Sequence, residues 1–402
     1  MKINKVLIAI VVLLGPWLVY GGDIQPGKLT CEYRDNPLGI DELAPRFSWT
    51  LSSKERNQHQ SAYEIIVSDN EKDSKGFRGN IWSTGKVDSD QNIHVVFQGK
   101  QLLPFTRYFW RVRVYDASGK PSKWSTINWF ETAAFSDTDW TGDWIGDGSK
   151  TFTKEEDFYK EDPMPLFRKS FNSTKKVTSA RLYISGLGYY EAYLNGDKVG
   201  DHVLDPGWTA YDKQVLYSVY DVTQMIRKGE NTAGIMLGNG WYNLLPIRLW
   251  GSRNWRNALA SDRPKALAML RVIYADGTTE VISTDETWKT ARGPVIKNNI
   301  YLGEEYDARK EDNNWCTTNV SSLDWKPAVK VAAPRGTLMV QQQPPIRVTS
   351  VLKPVGVKEV KPGVFVFDMG QNFAGVAKIK VKGPSGTTIK LRYGGIYMKT
   401  AH

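Results

Sequence analysis

Cysteine and histidine are scarce in this chain, and their scarcity excludes several kinds of site. The 402 residues include two cysteines, Cys31 and Cys316, and four histidines. The cysteines lie too far apart in the sequence for a metal-binding or redox motif. The histidines are dispersed and lack the spacing of a zinc site. We therefore expect two free, partly buried thiols, with a single disulfide as the alternative.

Long helical periods and clustered basic residues are also missing. After the first 22 residues the sequence shows no sustained helical periodicity, and no GxSxG sequence supports a Ser-His-Asp hydrolase. The formal net charge is +10, but lysine and arginine are scattered and are not interleaved with stacking aromatics. This pattern argues against a nucleic-acid partner. It favours a solvated basic surface, and the functional alternative is weak attraction to an acidic polymer such as a uronic-acid polysaccharide.

Turn-forming and aromatic residues are abundant instead. The chain has 35 Gly, 19 Pro, 15 Trp and 19 Tyr, a composition that suits β-sandwiches joined by many turns. A length of 402 residues allows roughly two to four domains. We therefore predict an all-β protein made of tandem β-sandwiches.

Residues 1–22 have the pattern of a secretory signal peptide. Lys2 and Lys5 precede an apolar run from Val6 to Leu14, and small glycines close the segment. The clean apolar run is too short to span a bilayer. The sequence thus predicts a secreted, periplasmic or cell-surface protein with no membrane association beyond an uncleaved anchor, which is the alternative.

Residues 28–134 are predicted to form a fibronectin type III/Ig-like sandwich that serves spacing and packing. The strongest strand is Tyr108–Asp116, in which Tyr108, Trp110, Val112 and Val114 share one face. Other predicted strands are Arg46–Leu51 and Ala62–Ser68. Residues 135–163 are predicted to be a turn-rich linker followed by an exposed insertion.

Residues 164–335 are predicted to form a second sandwich. Tyr190, Ala192 and Leu194 alternate with polar positions, and Asn195-Gly196 then provides a tight hairpin turn with positive φ. Asp276-Gly277 predicts a second hairpin with a type I′ turn. Further strands are predicted at Ser179–Ser185, Val215–Val222, Thr232–Leu237, Ala266–Tyr274 and Glu280–Ser283.

Residues 343–402 are predicted to begin a third β-sandwich. The expected strands are Val364–Asp368, Gly375–Lys382 and Thr388–Tyr393. So few strands cannot cover both faces of a sandwich. We therefore expect this domain to be truncated.

The loop Asp205-Pro206-Gly207-Trp208-Thr209 is the best candidate for a binding site. Pro206 fixes its φ and Gly207 frees its own, so Trp208 is held on a stiff frame. A flat aromatic ring covers the C–H faces of a sugar, while nearby Asn and Asp side chains satisfy its hydroxyls. The alternative is a core tryptophan of an ordinary sandwich.

Carboxylates give weaker signals. Asp197, Asp201 and Asp205 surround one hairpin and loop, where they would serve as Ca²⁺ ligands or simply as solvated acids. Inverting glycoside hydrolysis needs two facing carboxyls. Glu304 and Glu305 are adjacent on a predicted strand and point to opposite faces, so they do not form such a pair.

Several short stretches, in this order and spacing, resemble one family. They are Trp140–Gly146 (WTGDWIG), Gly188–Glu191 running into Leu194–Gly196, Val199–Asp201, Asp205–Thr209 with Tyr211, Leu237–Tyr242, Gly303–Arg309, and Phe367–Asn372 with Gly375 and Lys382–Thr387. They cover most of the chain after the signal. The sequence resembles the N-terminal part of a bacterial α-L-rhamnosidase of glycoside hydrolase family 78.

The resemblance implies a fibronectin-like sandwich, a jelly-roll domain similar to a carbohydrate-binding module, and a concanavalin-like β-sandwich. In the family, an (α/α)6 barrel that follows these domains hydrolyses terminal α-L-rhamnose by inversion. No catalytic residue of that barrel carries over to this chain, which we expect to be inactive alone.

Some family members bind rhamnose on the second domain with calcium, and no other cofactor is expected. The substrate-binding candidates are Asn195, Asp205, Trp208, Asn239 and Trp241. The expected partner is a rhamnose-containing polysaccharide or glycoside. The alternative is a free-standing carbohydrate-binding or structural cell-surface protein.

Overall fold

The computed structural model describes residues 24–249 and 253–394. The predicted signal peptide, residues 1–22, lies outside the described residues. The chain divides into two compact units, Met1–Phe135 and Ser136–His402. Within the described part, no helix has the length and apolar character needed to cross a membrane.

The first unit is a β-sandwich of one three-stranded sheet, in the order β1-β2-β6, and one larger sheet, in the order β4-β3-β7-β8 with β5 also paired to β3. Its elements are β1 (Gln25–Cys31), β2 (Arg46–Ser52), β3 (Ala62–Ser68), helix α1 (Glu71–Lys75), β4 (Trp82–Ser83), β5 (Val87–Asp88), β6 (Val95–Val96), β7 (Arg107–Tyr115) and β8 (Asn128–Glu131).

Alternating side chains of β7 supply the centre of this core. Tyr108, Trp110, Val112 and Val114 are all buried, which confirms the face predicted from the sequence. The Trp110 ring lies 4.5 Å from that of Phe47 on the opposite sheet. The two sheets are therefore held together by apolar and aromatic packing.

The second unit contains a larger sandwich. Its elements are β9 (Ile145–Gly146), β10 (Pro165–Ser173), β11 (Val177–Leu187), β12 (Tyr189–Leu194), β13 (Asp197–Lys198), β14 (Gln214–Asp221), β15 (Gly229–Gly238), β16 (Arg248–Leu249), β17 (Arg253–Asn254), helix α2 (Trp255–Ala258), β18 (Lys265–Tyr274), β19 (Thr279–Ser283), β20 (Lys289–Arg292), β21 (Val295–Asn299), β22 (Gly303–Tyr306), β23 (Lys326–Pro327), β24 (Val329–Lys330) and β25 (Thr337–Val340). Short 3-10 helices cover Asp137–Asp139, Glu155–Tyr159, Thr223–Met225 and Ala308–Lys310.

Two sheets face each other across this core. One runs in the order β13-β12-β15-β10-β20-β23 and the other in the order β24-β9-β18-β11-β14-β25, with β19 paired to β18. Buried side chains from both sheets, such as Phe167, Ile184, Leu194, Ile235 and Leu270, form one cluster. The prediction of tandem β-sandwiches is confirmed for the first two.

The second sandwich extends past both predicted ends, residues 164 and 335. Ile145 and Gly146, in the predicted linker, form β9 and pair with β18 and β24. At the other end β25 pairs in parallel with β14, and the Val203 N–H donates to the Ile346 carbonyl at 3.0 Å. Both ends contribute strands only two to four residues long, which periodicity cannot detect.

The hairpin at Asn195-Gly196 forms as predicted, with φ of 55° and 90°, and joins β12 to β13. The hairpin at Asp276-Gly277 also forms and joins β18 to β19. Its predicted type I′ turn is wrong, because only Gly277 of the pair has a positive φ and type I′ requires two. Asp276 instead accepts a hydrogen bond from the Thr278 N–H at 3.0 Å.

The third β-region is a hairpin of β26 (Gly356–Lys361) and β27 (Val364–Asp368). The strand predicted at Val364–Asp368 is confirmed. The strands predicted at Gly375–Lys382 and Thr388–Tyr393 do not form. Their apolar side chains, such as Val376, Val381 and Leu391, are exposed, because no described strand pairs with these segments.

Both cysteines are free and buried, in agreement with the expectation of two thiols. Cys31 ends β1 in the first unit. Cys316 lies in the second unit, where its Sγ is 3.7 Å from the Thr232 carbonyl oxygen.

Candidate functional site

Two indole rings form a stacked pair at the surface of the second sandwich. The ring centroids of Trp208 and Trp241 are 4.6 Å apart and their planes differ by 17°. Trp208 is 44% exposed. Tyr301 contacts the Trp241 ring edge-on, with a centroid distance of 5.9 Å. The two near-parallel indoles, with Tyr301 against the edge of the pair, therefore offer a partly exposed aromatic platform, which suits a pyranose ring.

The loop that carries Trp208 is held rigidly. The Gly207 N–H donates to Gln341 Oε1 at 2.8 Å, and the Thr209 hydroxyl donates to the Gln214 carbonyl at 2.5 Å. These bonds position Trp208 from both sides. The stiff frame predicted from Pro206 and Gly207 is thus reinforced by Gln341, a residue distant in sequence.

Trp241 lies in a turn that follows β15. The Asn239 carbonyl accepts hydrogen bonds from the N–H groups of Tyr242 and Asn243, at 3.2 and 3.0 Å. Gly240 has a φ of 47°, and a Cβ atom there would lie 2.8 Å from the Gly188 carbonyl carbon. Glycine is required at this position because the turn packs directly on the backbone of Gly188.

Asn239 is half-buried and fixed by two other asparagines. Its Nδ2 donates to the Asn298 carbonyl at 2.8 Å, and its backbone N–H donates to Asn298 Oδ1 at 2.7 Å. Its Oδ1 accepts a hydrogen bond from Asn243 Nδ2 at 2.7 Å. Asn239 therefore joins the turn that carries Trp241 to β21, the strand that precedes Tyr301.

Asp205 is 2% exposed and belongs to a buried polar network. Its Oδ2 accepts hydrogen bonds from the hydroxyls of Ser218, Tyr220 and Tyr190, at 2.5, 2.9 and 3.0 Å. His202 Nδ1 lies 3.1 Å from the same oxygen. Gln341 Nε2 donates to Oδ1 at 3.1 Å. Because the carboxylate is buried and both of its oxygens bond to protein groups, Asp205 anchors the Trp208 loop and does not face a ligand at the surface.

The surroundings of Asp205 change its acidity. Burial alone would raise the pKa of this carboxyl, but hydrogen bonds from His202 and Ser218, the charge of His202 and a bond from Tyr220 outweigh it and lower the pKa to about 2. The carboxylate is therefore ionised at every physiological pH, as an acceptor of this many hydrogen bonds must be.

Asn195 is 7% exposed and its side chain is also committed. Its Nδ2 donates to the Met225 carbonyl and to Asn231 Oδ1, at 3.0 and 2.9 Å. Its Oδ1 accepts a hydrogen bond from the Thr232 N–H at 2.9 Å. Of the five predicted binding residues, the structure therefore brings together Trp208, Trp241 and Asn239, and it places Asn195 and Asp205 in the interior.

The three aspartates considered for calcium face different partners. Asp197 lies 3.6 Å from Arg227, and Asp201 lies 2.9 Å from Arg347, whereas Asp205 is in the buried network. Across the described ranges, no group of three or more His, Cys, Asp or Glu side chains is arranged to hold a metal ion.

Glu304 and Glu305 lie on β22 and have different neighbours, as expected for adjacent strand residues. Glu305 is 3.8 Å from Lys297. Glu304 lies near Glu191, and desolvation together with that negative charge raises the pKa of Glu304. Glu191 is itself held by Lys198 at 2.5 Å and by the Tyr193 hydroxyl at 2.7 Å.

A cleft beside the tryptophan pair was not predicted from the sequence. It is narrow and open to solvent. Its walls are formed by Phe152, Phe158, Lys160, Asp162, Asn239, Asn243, Leu245, Lys297, Asn298 and Asn299. The sequence signal for it was the run Asn298-Asn299 just before Tyr301, but the opposite wall comes from the insertion at 151–162, which has no periodicity to indicate where it folds.

Three family models match the chain. The Rha78A-like N-terminal immunoglobulin domain matches residues 26–136. The alpha-L-rhamnosidase N-terminal domain matches residues 175–350. The bacterial alpha-L-rhamnosidase concanavalin-like domain matches residues 358–401.

Curated relatives and solved structures agree with these models. An alpha-L-rhamnosidase of Formosa agariphila is 36% identical over 384 residues, which are 90% of this chain and 40% of that protein. One from Alteromonas sp. is 33% identical over 364 residues, 89% of this chain and 39% of that protein. The structure of the Dictyoglumus thermophilum alpha-L-rhamnosidase superposes with a TM-score of 0.78 at 38% identity and covers 87% of this chain and 39% of that one.

The fold and the exposed aromatic surface define a protein of tandem β-sandwich domains with a candidate ligand site on the second. The models and relatives then identify the chain as the N-terminal portion of a bacterial α-L-rhamnosidase of glycoside hydrolase family 78. The chain spans about 40% of the length of these curated relatives.

Proposed function

We propose that this chain is the non-catalytic front part of an exported α-L-rhamnosidase, and that its second sandwich binds rhamnose-containing glycans. The observation that carries the binding proposal is the stacked pair of Trp208 and Trp241, with one indole 44% exposed on a rigid loop. An exposed indole costs solubility and contributes little to a core. Its rigid support favours the role of a sugar platform, since no side-chain entropy is lost on binding.

The relatives support the choice of rhamnose. The proteins that the chain resembles are named alpha-L-rhamnosidases. A Streptomyces avermitilis alpha-L-rhamnosidase was solved in complex with L-rhamnose; it superposes with a TM-score of 0.77 at 26% identity and covers 87% of this chain and 49% of that one. A glycoside or polysaccharide bearing terminal L-rhamnose is therefore the proposed partner.

Isothermal titration of the full chain with L-rhamnose, in buffers with and without Ca²⁺, tests this proposal. We expect weak binding that Trp208→Ala reduces by roughly tenfold or more, because aromatic anchors dominate such contacts. Trp129→Ala is the matched control, since Trp129 is half-buried on β8 of the first unit. The absence of heat at millimolar sugar in both buffers would reject rhamnose binding and favour a structural role.

Catalysis is assigned to another part of the enzyme. We expect the purified chain to release no aryl group from an aryl α-L-rhamnoside. Turnover that disappears when Glu304 or Glu191 is replaced by glutamine would contradict this, since it would place a catalytic carboxylate within the sandwich. Turnover that survives both substitutions points to a contaminating enzyme and is resolved by repurification.

The last part of the proposal is that the protein is exported from the cytoplasm. It rests on residues 1–22, in which Lys2 and Lys5 precede a short apolar run. Fusion of these residues to a reporter that is active only outside the cytoplasm should give signal. A fusion that stays inactive while a known signal peptide works would reject export by this segment.

A further inference from the structure

We propose that the cleft beside the tryptophan pair, here called the asparagine cleft, binds the carboxylate of a hexuronic acid joined to the rhamnose. This inference rests on the proposed function, because it assigns the neighbouring sugar unit of the same glycan. The asparagine cleft is defined by Asn239, Asn243, Asn298, Asn299, Lys160 and Lys297, with Phe152 and Phe158 on the opposite wall.

The asparagine cleft and the indole pair are connected by two short chain segments. Asn239 lines the cleft and lies two residues before Trp241. Asn299 lines it and lies two residues before Tyr301, whose ring contacts Trp241. These two segments place the cleft next to the aromatic residues along the chain, and the proposed ligand is a disaccharide that spans both.

One hydrogen-bond donor on the polar wall, Asn299 Nδ2, lacks an acceptor. Asn299 Oδ1 accepts hydrogen bonds from the N–H groups of Tyr301 and Leu302, at 2.8 and 3.2 Å. These bonds fix the orientation of the amide, so its Nδ2 is on the other side. Within the described structure this Nδ2 is buried and has no hydrogen-bond partner. A buried amide donor without an acceptor is unfavourable, and a ligand oxygen would satisfy it.

The charges that line the cleft favour an anionic ligand. Lys297 is 3.8 Å from Glu305, too far for a hydrogen bond, and Lys160 forms an ion pair at 2.6 Å with the half-buried Asp157. Among the lining residues, Asp162 is the one carboxylate, and Arg263 pairs with it. Two lysines thus face the cleft, and the lining carboxylate is already neutralised.

A third cation lies behind the wall. The Arg256 guanidinium stacks 4.1 Å from the Phe158 ring centroid. It donates to Asn243 Oδ1 at 2.8 Å and to the Leu244 carbonyl at 2.5 Å, which are neutral acceptors. Its positive charge also interacts with the Asp262 carboxylate and the Arg263 guanidinium. A carboxylate offers two acceptor oxygens and a negative charge, and of the common sugars a hexuronic acid carries this group.

Two hydrogen bonds and an ion pair hold the insertion, residues 151–162, against this cleft. Thr151 donates to Asp262 at 2.8 Å, and the Asp162 N–H donates to the Ile296 carbonyl at 3.0 Å. Arg248 forms an ion pair with Glu155 at 2.9 Å. These contacts hold the two phenylalanines of the insertion opposite the asparagines, so an apolar wall faces the ring of the bound sugar and a polar wall faces its carboxylate.

Titration of the full chain with two probes tests the inference. One probe is a disaccharide of L-rhamnose linked to D-glucuronic acid, and the other is the same disaccharide with its carboxyl reduced to a primary alcohol. We expect the acidic form to bind about tenfold more tightly at low salt, because the carboxylate gains charge-assisted hydrogen bonds. The difference should shrink in about 0.5 M salt, which screens the lysines.

Two variants test whether residues of the asparagine cleft cause the preference for the acidic probe. Asn299→Asp keeps the oxygen that accepts from Tyr301 and Leu302 but replaces the free donor with a negative charge, and Lys297→Gln removes one cation. Both should abolish the preference for the acidic probe, so that the ratio of the two affinities falls to about one. Lys326→Gln is the control, because Lys326 is 72% exposed and lies outside the cleft. Melting curves check that each variant is folded.

The outcomes separate this inference from the proposed function. Equal binding of the two probes by the wild type, or an acidic preference that survives Asn299→Asp and Lys297→Gln, overturns the assignment of the cleft and leaves rhamnose binding intact. Loss of binding of both probes in Trp208→Ala, with the preference lost in the cleft variants alone, supports both proposals. No binding of either probe by the wild type rejects both.

Discussion

Asp205 shows how a residue with the chemistry of a ligand contact can serve as an internal anchor. Its carboxylate accepts hydrogen bonds from Ser218, Tyr190, Tyr220 and Gln341, and Gln341 also holds the backbone of the Trp208 loop. The exposed indole therefore depends for its position on a charge that no solvent reaches. This coupling makes the loop sensitive to the ionisation of a single residue.

Replacement of Asp205 by Asn should destabilise the second unit by roughly 2 kcal/mol at neutral pH. The pKa of Asp205 is lowered from 3.8 to about 2, and each pKa unit corresponds to about 1.4 kcal/mol. Since the folded state has the lower pKa, this stability is fully present above pH 4 and is lost as the pH falls towards 2. Urea unfolding of the wild type and the variant between pH 7 and about pH 2 measures both effects.

Asp201→Asn is the matched control for this experiment. Asp201 is close in sequence and 68% exposed in its ion pair with Arg347, so its replacement should change stability by less than about 0.5 kcal/mol. If Asp205→Asn unfolds at the wild-type urea concentration and retains the same acid dependence, the network does not stabilise the loop as described.

Residue type alone did not predict which of the candidate binding residues are buried. Asn195 and Asp205 have the residue types that contact sugars, and they lie in motifs next to Trp208. Their burial depends on Tyr220, Asn231 and Gln341, which join them only when β14, β15 and the segment after β25 are assembled. Trp208 was named as a candidate from its local loop, but its exposure was not predicted, and Asn299 acquires its free donor from the turn at Tyr301.

At the scale of elements, the chain passes from one sheet of the second sandwich to the other at Gly188. β11 ends at Leu187 in one sheet, and β12 begins at Tyr189 in the other. Gly188 has a φ of 121°, and a Cβ atom there would lie 2.1 Å from the Gly238 carbonyl oxygen. The corner therefore excludes every side chain for two reasons, backbone conformation and lack of space.

Gly188→Ala should destabilise the second unit by about 3 kcal/mol or more, since the clash is with the backbone of β15 and cannot be relieved by rotation of a side chain. Gly277→Ala provides the comparison. Gly277 also has a positive φ, 81°, but a Cβ atom there meets nothing within 4 Å, so only a conformational cost of about 1 kcal/mol is expected. Denaturant unfolding of both variants gives the difference, and equal losses would show that the close approach to Gly238 has no energetic consequence.

Strand prediction succeeded where burial on one or both faces imposes a clear pattern. β3 was predicted with its observed bounds, Ala62–Ser68, and β7 within one residue at each end. The pattern failed at very short strands such as β9, and it failed at 375–393, where alternating apolar residues have no described neighbour to pair with. Periodicity reports which side chains could be buried, while strand formation also requires a partner.

At the scale of the whole molecule, each unit has its own core and its own buried thiol. The core cluster of the first unit draws only on residues from 24 to 135. It includes Cys31, which is 1% exposed. Burial raises the pKa of the Cys31 thiol well above its usual value, and it raises the pKa of Cys316 to about 12. Neither thiol should react while its own unit is folded.

The reactivity of the Cys31 thiol tests whether the first sandwich folds without the rest of the chain. A fragment of residues 24–135 should fold and protect Cys31 from iodoacetamide as well as the full chain does, because every side chain in that core lies inside the fragment. Trp110→Ala removes the largest fully buried side chain of the unit, at a cost of about 3–5 kcal/mol. It should therefore expose Cys31 at lower urea while the labelling of Cys316 is unchanged. A fragment whose Cys31 reacts at once in the absence of denaturant would mean that the aromatic core seen around Trp110 requires the rest of the chain to form.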